Sequence, residues 1–428
     1  MSETAAHLVD FVLPIQNIRQ WVITFPYQFR LCLAVRPKIM ARALEITHSV
    51  ISRYYQQKVG LTRANSKTGA ATLIQRFGGQ INCNPHFHQL FVDGCYELGS
   101  HGEPLDFFTA DPPTVTEIEK VLGKIIKRFT KYLEKQKIII KDSDQGIQLE
   151  IPEEDTFSKL QASSITYRFA TGSSKGKKAL VIMSAPEDGD HNSQKGLVAN
   201  LSGFSLHAGV AIKANQRDKL EKICRYIARP AVAEERLSIN DKGDVIYKFK
   251  KLWSDGTAAI KLTPMEFMER LVALVPRPRV HLTRFHGVLG PHYKYRKDIV
   301  PKQKSESLLP LPPLQLVLVA NPDATADDVS GDSVDNEKKP ATKRISWAKL
   351  LSRVFDIDVS ICAKCEGPAR IIAAIEDPKV IKQILEHLSL PSSPPRLHPA
   401  RGPPQTAQSD FFAPRHAGLY SENTWPTQ

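Results

Sequence analysis

The chain has 428 residues, with 58 lysines and arginines against 45 aspartates and glutamates, so its net charge is +13 and its pI is near 9.3. Apolar residues make up 42%, enough to bury a core, and six cysteines are too few for a disulfide framework at this length. No basic stretch followed by an apolar run opens the chain, and prolines interrupt its most apolar stretch, residues 308–320. These features argue against a wholly disordered chain, a disulfide scaffold, a secretory signal and a membrane-spanning helix.

The hydrophobic pattern predicts short strands and amphipathic helices. Before residue 140 it predicts a strand at 19–27, a helix at 37–56, a strand pair at 71–77 and 81–92 joined by two glycines, and a helix at 114–140. Residues 141–200 are polar and predict an insertion or a mobile loop. Later residues predict a strand at 203–213, a helix at 216–229 with Asn215 as its N-cap, a strand at 245–249, and a helix at 264–275.

Composition divides the chain into four parts. Residues 1–300 contain these elements and are predicted to form the main domain, with an α+β fold. Residues 301–345 are predicted to be a linker, 346–390 a small C-terminal α/β unit, and 391–428 a Pro-rich disordered tail.

The positive charge is concentrated in two stretches of the chain. Residues 1–100 have 10 basic and 5 acidic side chains, and residues 201–300 have 19 and 10. A basic surface attracts polyanions, so this distribution favours a nucleic-acid partner. The alternative is an ordinary solvated surface.

Two histidines lie two positions apart in the segment NPHFHQLFV, residues 84–92. On a strand, residues i and i+2 face the same side, about 6–7 Å apart. His86 and His88 could therefore both bind one divalent metal ion, while Phe87 points to the opposite face and packs in the core. The alternative is a chance pair of histidines on a polar sheet face.

One tyrosine stands on the basic side of the helix predicted at 216–229. Tyr226 lies about 110° from the apolar stripe of that helix, at ~100° per residue, and basic side chains surround it. Such a face suits phosphates, and a tyrosine placed there can act as a covalent nucleophile. The alternative is a tyrosine at an amphipathic boundary. The candidate phosphate-binding residues are Lys219, Lys222, Arg225 and Arg229.

Together the two features describe one reaction. A metal ion held by the histidines would polarise a phosphodiester, and the tyrosine hydroxyl would attack the phosphorus in line. The products would be a 5′-phosphotyrosine link and a free 3′-hydroxyl. Because the link conserves the bond energy, rejoining would need no ATP, and no Walker loop occurs in the sequence.

At these residues the sequence resembles the HUH-type rolling-circle transposases of bacterial insertion sequences, including the common-region elements that mobilise resistance genes. The resemblance runs in order through most of the chain. Its segments are Arg19–Arg30, Ile74–Tyr96, Gly203–Val210, Cys224–Pro230, Arg277–His292 and Ile361–Pro378.

The resemblance implies an antiparallel sheet flanked by helices, with the histidine pair on a central strand and the tyrosine on a facing helix. It assigns His86 and His88 as metal ligands and Tyr226 as the nucleophile. The implied activity is nicking and rejoining of single-stranded DNA at insertion-sequence ends, with Mg²⁺ or Mn²⁺. The implied partners are transposon-end and target DNA, with no membrane, in a bacterial cytoplasm near the nucleoid.

Two departures from the family pattern change this expectation. Some relatives have a second tyrosine four residues after the first, where this chain has Pro230, so the single-tyrosine subgroup is the better match. Many relatives begin with a cysteine-rich zinc module, whereas Cys32 is the one cysteine in the first 80 residues here. The sequence therefore predicts a variant without that module.

Other residues leave several assignments open. A third metal ligand could be Gln75, Gln80 or His207. Cys362 and Cys365 form one CxxC pair, to which His387 could add a zinc ligand. The predicted solvent-facing or DNA-facing histidines are His281, His286 and His292, and further phosphate contacts could come from Arg277, Arg279, Arg284 and Lys294.

Two other functions fit parts of the pattern. A rolling-circle replication initiator would use the same chemistry, and a non-catalytic DNA-binding remnant of a transposase would explain the missing zinc module.

Overall fold

The computed structural model describes residues 1–142, 146–149, 155–183, 196–249 and 256–301. In the C-terminal part it describes 347–355, 358–362, 365, 367–369, 375, 377–387 and 392. The predicted linker and the predicted disordered tail lie almost entirely outside these residues.

The strands of the described residues are β1 (Ile18–Thr24), β2 (Ser66–Lys67), β3 (Gly69–Phe77), β4 (Cys83–Val92), β5 (Gly94–Leu98), β6 (Pro104–Thr109), β7 (Ile139–Asp142), β8 (Gly146–Leu149), β9 (Leu180–Met183), β10 (Val198–Leu201), β11 (Phe204–Ile212), β12 (Leu237–Ile239), β13 (Val245–Lys248), β14 (Thr257–Leu262) and β15 (Thr283–Gly287). The helices are α1 (Ser2–Phe11), α2 (Tyr27–Val35), α3 (Pro37–Lys58), α4 (Val115–Lys135), α5 (Thr156–Ile165), α6 (Arg217–Ile227), α7 (Pro264–Leu274), α8 (Arg296–Ile299), α9 (Trp347–Phe355) and α10 (Pro378–His387).

A six-stranded antiparallel sheet forms the centre of the fold, in the order β10-β11-β1-β4-β3-β15. Strand β4, which contains both histidines of the pair, lies inside the sheet between β1 and β3. Smaller sheets are β12-β13-β14-β9, β2-β5-β6 and β7-β8. The predicted α+β class, with antiparallel sheet flanked by helices, is confirmed.

Helices cover both faces of the central sheet. One face packs on α3 and α4 around Trp21, Phe87 and Phe91. The other face packs on α1 and α6 around Leu90 and Leu220. Alternation along β4 explains the division, because odd-numbered residues there face α3 and α4 while even-numbered residues face α6.

Local sequence signals set several element ends. The β3–β4 hairpin closes at the predicted two-glycine turn, where Gly78 N donates a hydrogen bond to Asn82 O. Helices α4 and α7 both begin with a capping box, in which Thr114 and Glu117, or Thr263 and Glu266, satisfy each other's backbone N–H groups.

The described part of residues 141–200 contains α5, which packs against α2 and α7, β9, which pairs with β14, and β10, which forms a short hairpin with β11. That this stretch is an insertion or a mobile loop stays a prediction. One sequence prediction about local structure is wrong. The N-cap of α6 is Gln216 rather than Asn215, and it forms no side-chain capping bond to the helix.

The prediction that His286 faces solvent or DNA is also wrong, because its ring packs on α3. Its ring stacks on His48 of α3, with ring centroids 4.5 Å apart, and His48 stacks in turn on Phe91. Burial lowers the pKa of His286 to about 4, helped by nearby Arg284. Burial lowers the pKa of His48 to about 3, and the neighbouring His286 lowers it further.

These two shifts predict acid sensitivity. Below about pH 6.5, the usual histidine pKa, His48 and His286 bind protons in the unfolded chain but not in the folded one. The free energy of unfolding is therefore at its full value above that pH and falls as the pH approaches 4. Each histidine contributes a slope of up to about 1.4 kcal/mol per pH unit. Urea unfolding at pH 7 and pH 5 measures this. Between these pH values the free energy of unfolding should fall less for a His48→Gln/His286→Gln variant than for wild type. Equal losses would contradict the prediction.

The C-terminal unit is described in part. It contains α9, α10 and an isolated bridge between Ile361 and Pro368. Helix α9 contacts α1 of the main domain. No helix of the described residues combines the length and apolar character needed to cross a bilayer.

Candidate functional site

Polar side chains meet at one end of the central sheet, on the face that carries α6. The strand register places Ser205, Thr24, His86 and Gln75 in one cross-strand row over β11, β1, β4 and β3. The next row runs through His207, Val22, His88 and Leu73. Both histidines of the pair are therefore inside this group, which we call the polar patch: Thr24, Gln75, His86, His88, Ser205 and His207.

The two histidines have the relation that the strand pattern predicted. Their side chains lie on the same face of β4, with ring centroids 5.0 Å apart, and both residues are buried. Nδ1 of His86 lies 2.8 Å from Asn84 O and donates to that carbonyl, so Nε2 carries the ring lone pair. Metal binding by His86 would therefore use Nε2.

Burial keeps the imidazoles of the polar patch neutral. It lowers the pKa of His86 to about 4, against an opposing hydrogen bond to Asn84 and with help from Arg30 and Arg229. It lowers the pKa of His88 well below the usual value, with contributions from His86, Arg229 and His207. Neutral imidazole is the form that binds a metal ion, so no proton must leave first.

Gln20 supports His88 and was not found from the sequence. Its side-chain amide nitrogen lies 2.8 Å from Nδ1 of His88. In that orientation Nδ1 accepts and Nε2 carries the proton, whereas a rotated amide would accept from Nδ1–H and leave Nε2 able to bind a metal ion. Alternation along β1 places Gln20 on the same face as Thr24, but only the pairing of β1 with β4 reveals its contact with His88.

Helix α6 connects the polar patch to Tyr226. Nε2 of Gln75 donates to the carbonyl of Ile227, 2.6 Å away, and Gln75 lies opposite His86. Tyr226 is the residue before that carbonyl and is half-buried at the edge of the apolar core. The guanidinium carbon of Arg229 lies 4.8 Å from the centre of the Tyr226 ring. The structure thus brings Tyr226, the histidine pair and Gln75 to one face of the sheet.

The predicted phosphate-binding residues occupy different surroundings. Arg229 stacks on Tyr226, and Lys222 is exposed on the same helix. Lys219 donates to Ala211 O at 3.1 Å, and Nε of Arg225 lies 3.9 Å from a carboxylate oxygen of Glu221. Arg229 and Lys222 therefore remain the stronger candidates for phosphate contacts.

The three candidates for a third metal ligand differ in their positions relative to the histidine pair. Gln75 faces His86 across one strand pair, and His207 lies in the His88 row beyond β1. Gln80 lies in the β3–β4 turn, outside both rows. No group of three or more His, Cys, Asp or Glu suited to a metal ion occurs in the described ranges. Of the three candidates, Gln75 is the one that the strand register places directly opposite His86.

Arg353 of α9 anchors the tyrosine helix. Its guanidinium binds Asp10 of α1, with one N–O distance of 2.9 Å, and reaches Glu221 of α6 at 2.6 Å. The Glu221 side chain is only 9% exposed. A buried carboxylate needs a cationic partner, so Arg353 stabilises the position of α6.

The remaining predicted residues lie away from the polar patch. Cys362 and Cys365 form no disulfide within the described residues, and they lie near a short turn in which Cys362 N donates to Gly367 O. His387 is exposed at the end of α10. The side chains of His281, His292, Arg279, Arg284 and Lys294 are exposed, whereas Arg277 pairs with Asp155 at 2.7 Å.

The family comparison identifies the class of protein. Residues 69–297 match the family described as "Putative transposase", and this range includes β3, β4 and α6 with Gln75, His86, His88 and Tyr226. Gln20 and Thr24 on β1 and the C-terminal candidate residues lie outside the matched range. The match spans more than half of the chain, so the chain belongs to this transposase family. No curated protein and no solved structure gave a match.

Proposed function

We propose that this transposase nicks and rejoins single-stranded DNA at insertion-sequence ends through a covalent link to Tyr226, by the rolling-circle route. The observation that supports the proposal most directly is the contact between Gln75 and Ile227, because it ties the tyrosine helix to the strand beside His86. A nucleophile and a candidate metal site are thereby held on one rigid scaffold.

The donors present fit a divalent metal ion. His86 and His88 supply two neutral imidazoles, and Gln75 supplies an amide oxygen on the neighbouring strand. Imidazole nitrogen suits first-row transition ions better than Mg²⁺, so Mn²⁺ is the better probe. When bound, such an ion would polarise a non-bridging phosphate oxygen.

The protein's own groups account for the remaining steps. The Tyr226 hydroxyl gives up its proton as its oxygen bonds to phosphorus, and the bond to the 3′ oxygen breaks as that oxygen takes up one proton, so the exchange is balanced. Arg229 lies over the Tyr226 ring and would meet the charge that develops on the phosphate. Rejoining reverses the same exchange with a 3′-hydroxyl as nucleophile.

The direct test is covalent capture. The full chain is incubated with a labelled single-stranded oligonucleotide that carries an element end, with Mn²⁺, and run on a denaturing gel. We expect an adduct that peptide mass spectrometry maps to Tyr226. Absence of an adduct would favour the non-catalytic DNA-binding alternative, and an adduct at another residue would contradict the assigned nucleophile.

Metal binding can be tested separately from strand cleavage. A His86→Ala variant should lose Mn²⁺ affinity by at least about 100-fold, the upper end of what loss of an outer-shell partner costs. Titration of free Mn²⁺ by electron paramagnetic resonance measures this directly. The exposed His101 provides the control, because His101→Ala should bind as wild type does.

The same titration discriminates between the third-ligand candidates. Gln75→Leu should weaken Mn²⁺ binding, whereas Gln80→Leu in the hairpin turn should leave it unchanged. The reverse result would show that the strand register does not determine the third ligand.

A further inference from the structure

A cavity of about 390 Å³ opens beside Tyr226 at the edge of the central sheet. Strand β15 pairs with β3 from Gly69 to Leu73, and the cavity lies against the part of β3 that follows, through Phe77. The end of α6 and the end of α7 form its other walls.

Two arginines line this cavity and no acidic residue does. Arg76 is 4% exposed, and although two of its nitrogens bind Leu274 O and Ala34 O, its Nη2 is buried with no acceptor among the described residues. Arg229 also has a buried Nε with no acceptor there. Buried charged donors without partners are costly, so a bound anion would stabilise the site.

The positive charge that faces the cavity is that of its lining residues Arg76 and Arg229. Burial lowers the pKa of the Arg76 guanidinium, Cys83 opposes that effect and nearby Arg277 adds to it. Arg277 itself is paired with Asp155 at 2.7 Å, so it adds little to the charge of the cavity. The cavity therefore favours an anion electrostatically and has no acidic lining residue to neutralise it.

The other lining side chains are largely apolar. Phe77, Leu271, Leu274, Val275 and Leu282 form the wall opposite and around the guanidinium groups. Small-molecule sites have volumes of roughly 300–1,000 Å³ and combine apolar walls with a few placed polar groups. A phosphate joined to a flat apolar body satisfies both parts of this lining, whereas a bare phosphate would satisfy only the arginines.

Arg229 joins the cavity to the candidate nucleophile. It lines the cavity and also lies over the Tyr226 ring, and Gln75 lines the cavity while it binds Ile227 O. A group bound there is consequently next to the phosphodiester that Tyr226 would attack.

We propose that the cavity binds one nucleotide of the DNA strand adjacent to the attacked phosphodiester, with its phosphate on Arg76 and its base against the apolar wall, while Arg229 serves the attacked phosphate. This assignment rests on the proposed function and adds Arg76 as a DNA-binding residue. The site would select flexible single strands, because a base must leave the stack to enter.

The test uses equilibrium binding without metal, so that no chemistry contributes. Fluorescence anisotropy of a labelled thymidine 20-mer is measured with the full chain. Val275→Trp should fill the mouth of the cavity and weaken binding about tenfold, within the range for loss of a specific contact. The matched control is Val272→Trp, at an exposed position in the last turn of α7 and outside the lining, which should bind as wild type does.

Charge is tested by Arg76→Met, which keeps the length of the side chain and should also weaken binding about tenfold. Arg63→Met, at an exposed arginine outside the lining, is its control. Circular dichroism checks folding. If Arg76→Met unfolds, Val275→Trp decides the question, and a folded Val275→Trp protein that binds like its control overturns the proposal.

Competition identifies the ligand chemistry. Thymidine 5′-monophosphate should displace the 20-mer at concentrations where thymidine and inorganic phosphate do not. Equal competition by inorganic phosphate would reduce the cavity to an anion site and overturn the nucleotide assignment. The covalent-capture assay is independent of this test. If wild type forms the adduct but Val275→Trp binds the 20-mer normally, only the cavity proposal is rejected. If wild type forms no adduct but Val275→Trp weakens binding, only the assigned nucleophile is rejected.

Discussion

Replacing Tyr226 with phenylalanine should abolish the covalent adduct while leaving the fold and DNA binding intact. The phenyl ring keeps its contacts with the apolar core and the stacking under Arg229, so only the hydroxyl is lost. Removal of a nucleophile lowers enzyme rates by ~10⁴-fold or more, which puts the adduct below detection. Denaturing gels with the labelled element-end oligonucleotide and Mn²⁺ measure the effect.

A second tyrosine provides the matched control. Tyr295 is also half-buried, and its hydroxyl donates to His101 O at 3.4 Å, away from the polar patch. Tyr295→Phe should give the wild-type amount of adduct. If Tyr226→Phe still forms an adduct, another side chain is the nucleophile and the assignment of this role to Tyr226 is wrong.

The second large effect concerns stability. Asp93→Asn should lower the free energy of unfolding by about 3–5 kcal/mol, as expected when one partner of a buried ion pair is neutralised. Arg19 binds both carboxylate oxygens of Asp93 at 2.8 and 2.9 Å, and the side chains are 4% and 6% exposed. The variant would leave the Arg19 charge buried without a counter-ion.

Asp93 also orders a wider hydrogen-bond network. Tyr55 donates to Asp93 at 2.9 Å, and the indole of Trp21 donates to the Tyr55 oxygen at 2.9 Å. The network links β1, α3 and the start of β5, so the loss should appear as reduced global stability in urea unfolding. Asp106→Asn, at an exposed position on β6, is the control and should change little. Similar stabilities of the two variants would contradict the prediction.

Local periodicity predicted much of the fold, and long-range pairing supplied the rest. The period-2 pattern around His86 and the two-glycine turn correctly predicted the β3–β4 hairpin, and the helical stripe correctly predicted α3. Helix α5 has a weakly apolar sequence, and its burial comes from α2 and α7, so the sequence offered little sign of it.

In the candidate site, too, some features follow from the local sequence and others depend on which strands pair. That both histidines share a face follows from strand geometry, whereas the choice among Gln75, Gln80 and His207 depends on which strands are neighbours. Gln20 and Arg76 were missed for the same reason, because their contacts are with residues 68 or more positions away or with distant backbone. The pairing of β4 with β1, its second partner strand, could not be read from any single segment.

The anchoring of α6 by Arg353 changes how a shortened chain should be interpreted. The composition places a domain boundary near residue 300, yet the guanidinium that neutralises Glu221 comes from beyond that boundary. Cutting there would leave Glu221 with Arg225, 3.9 Å away, as its ion-pair partner in the described residues. Low activity in a shortened protein would therefore be explained by a displaced α6, the helix of the proposed nucleophile, as well as by lost contact with DNA. The C-terminal unit thus helps to hold α6 in place.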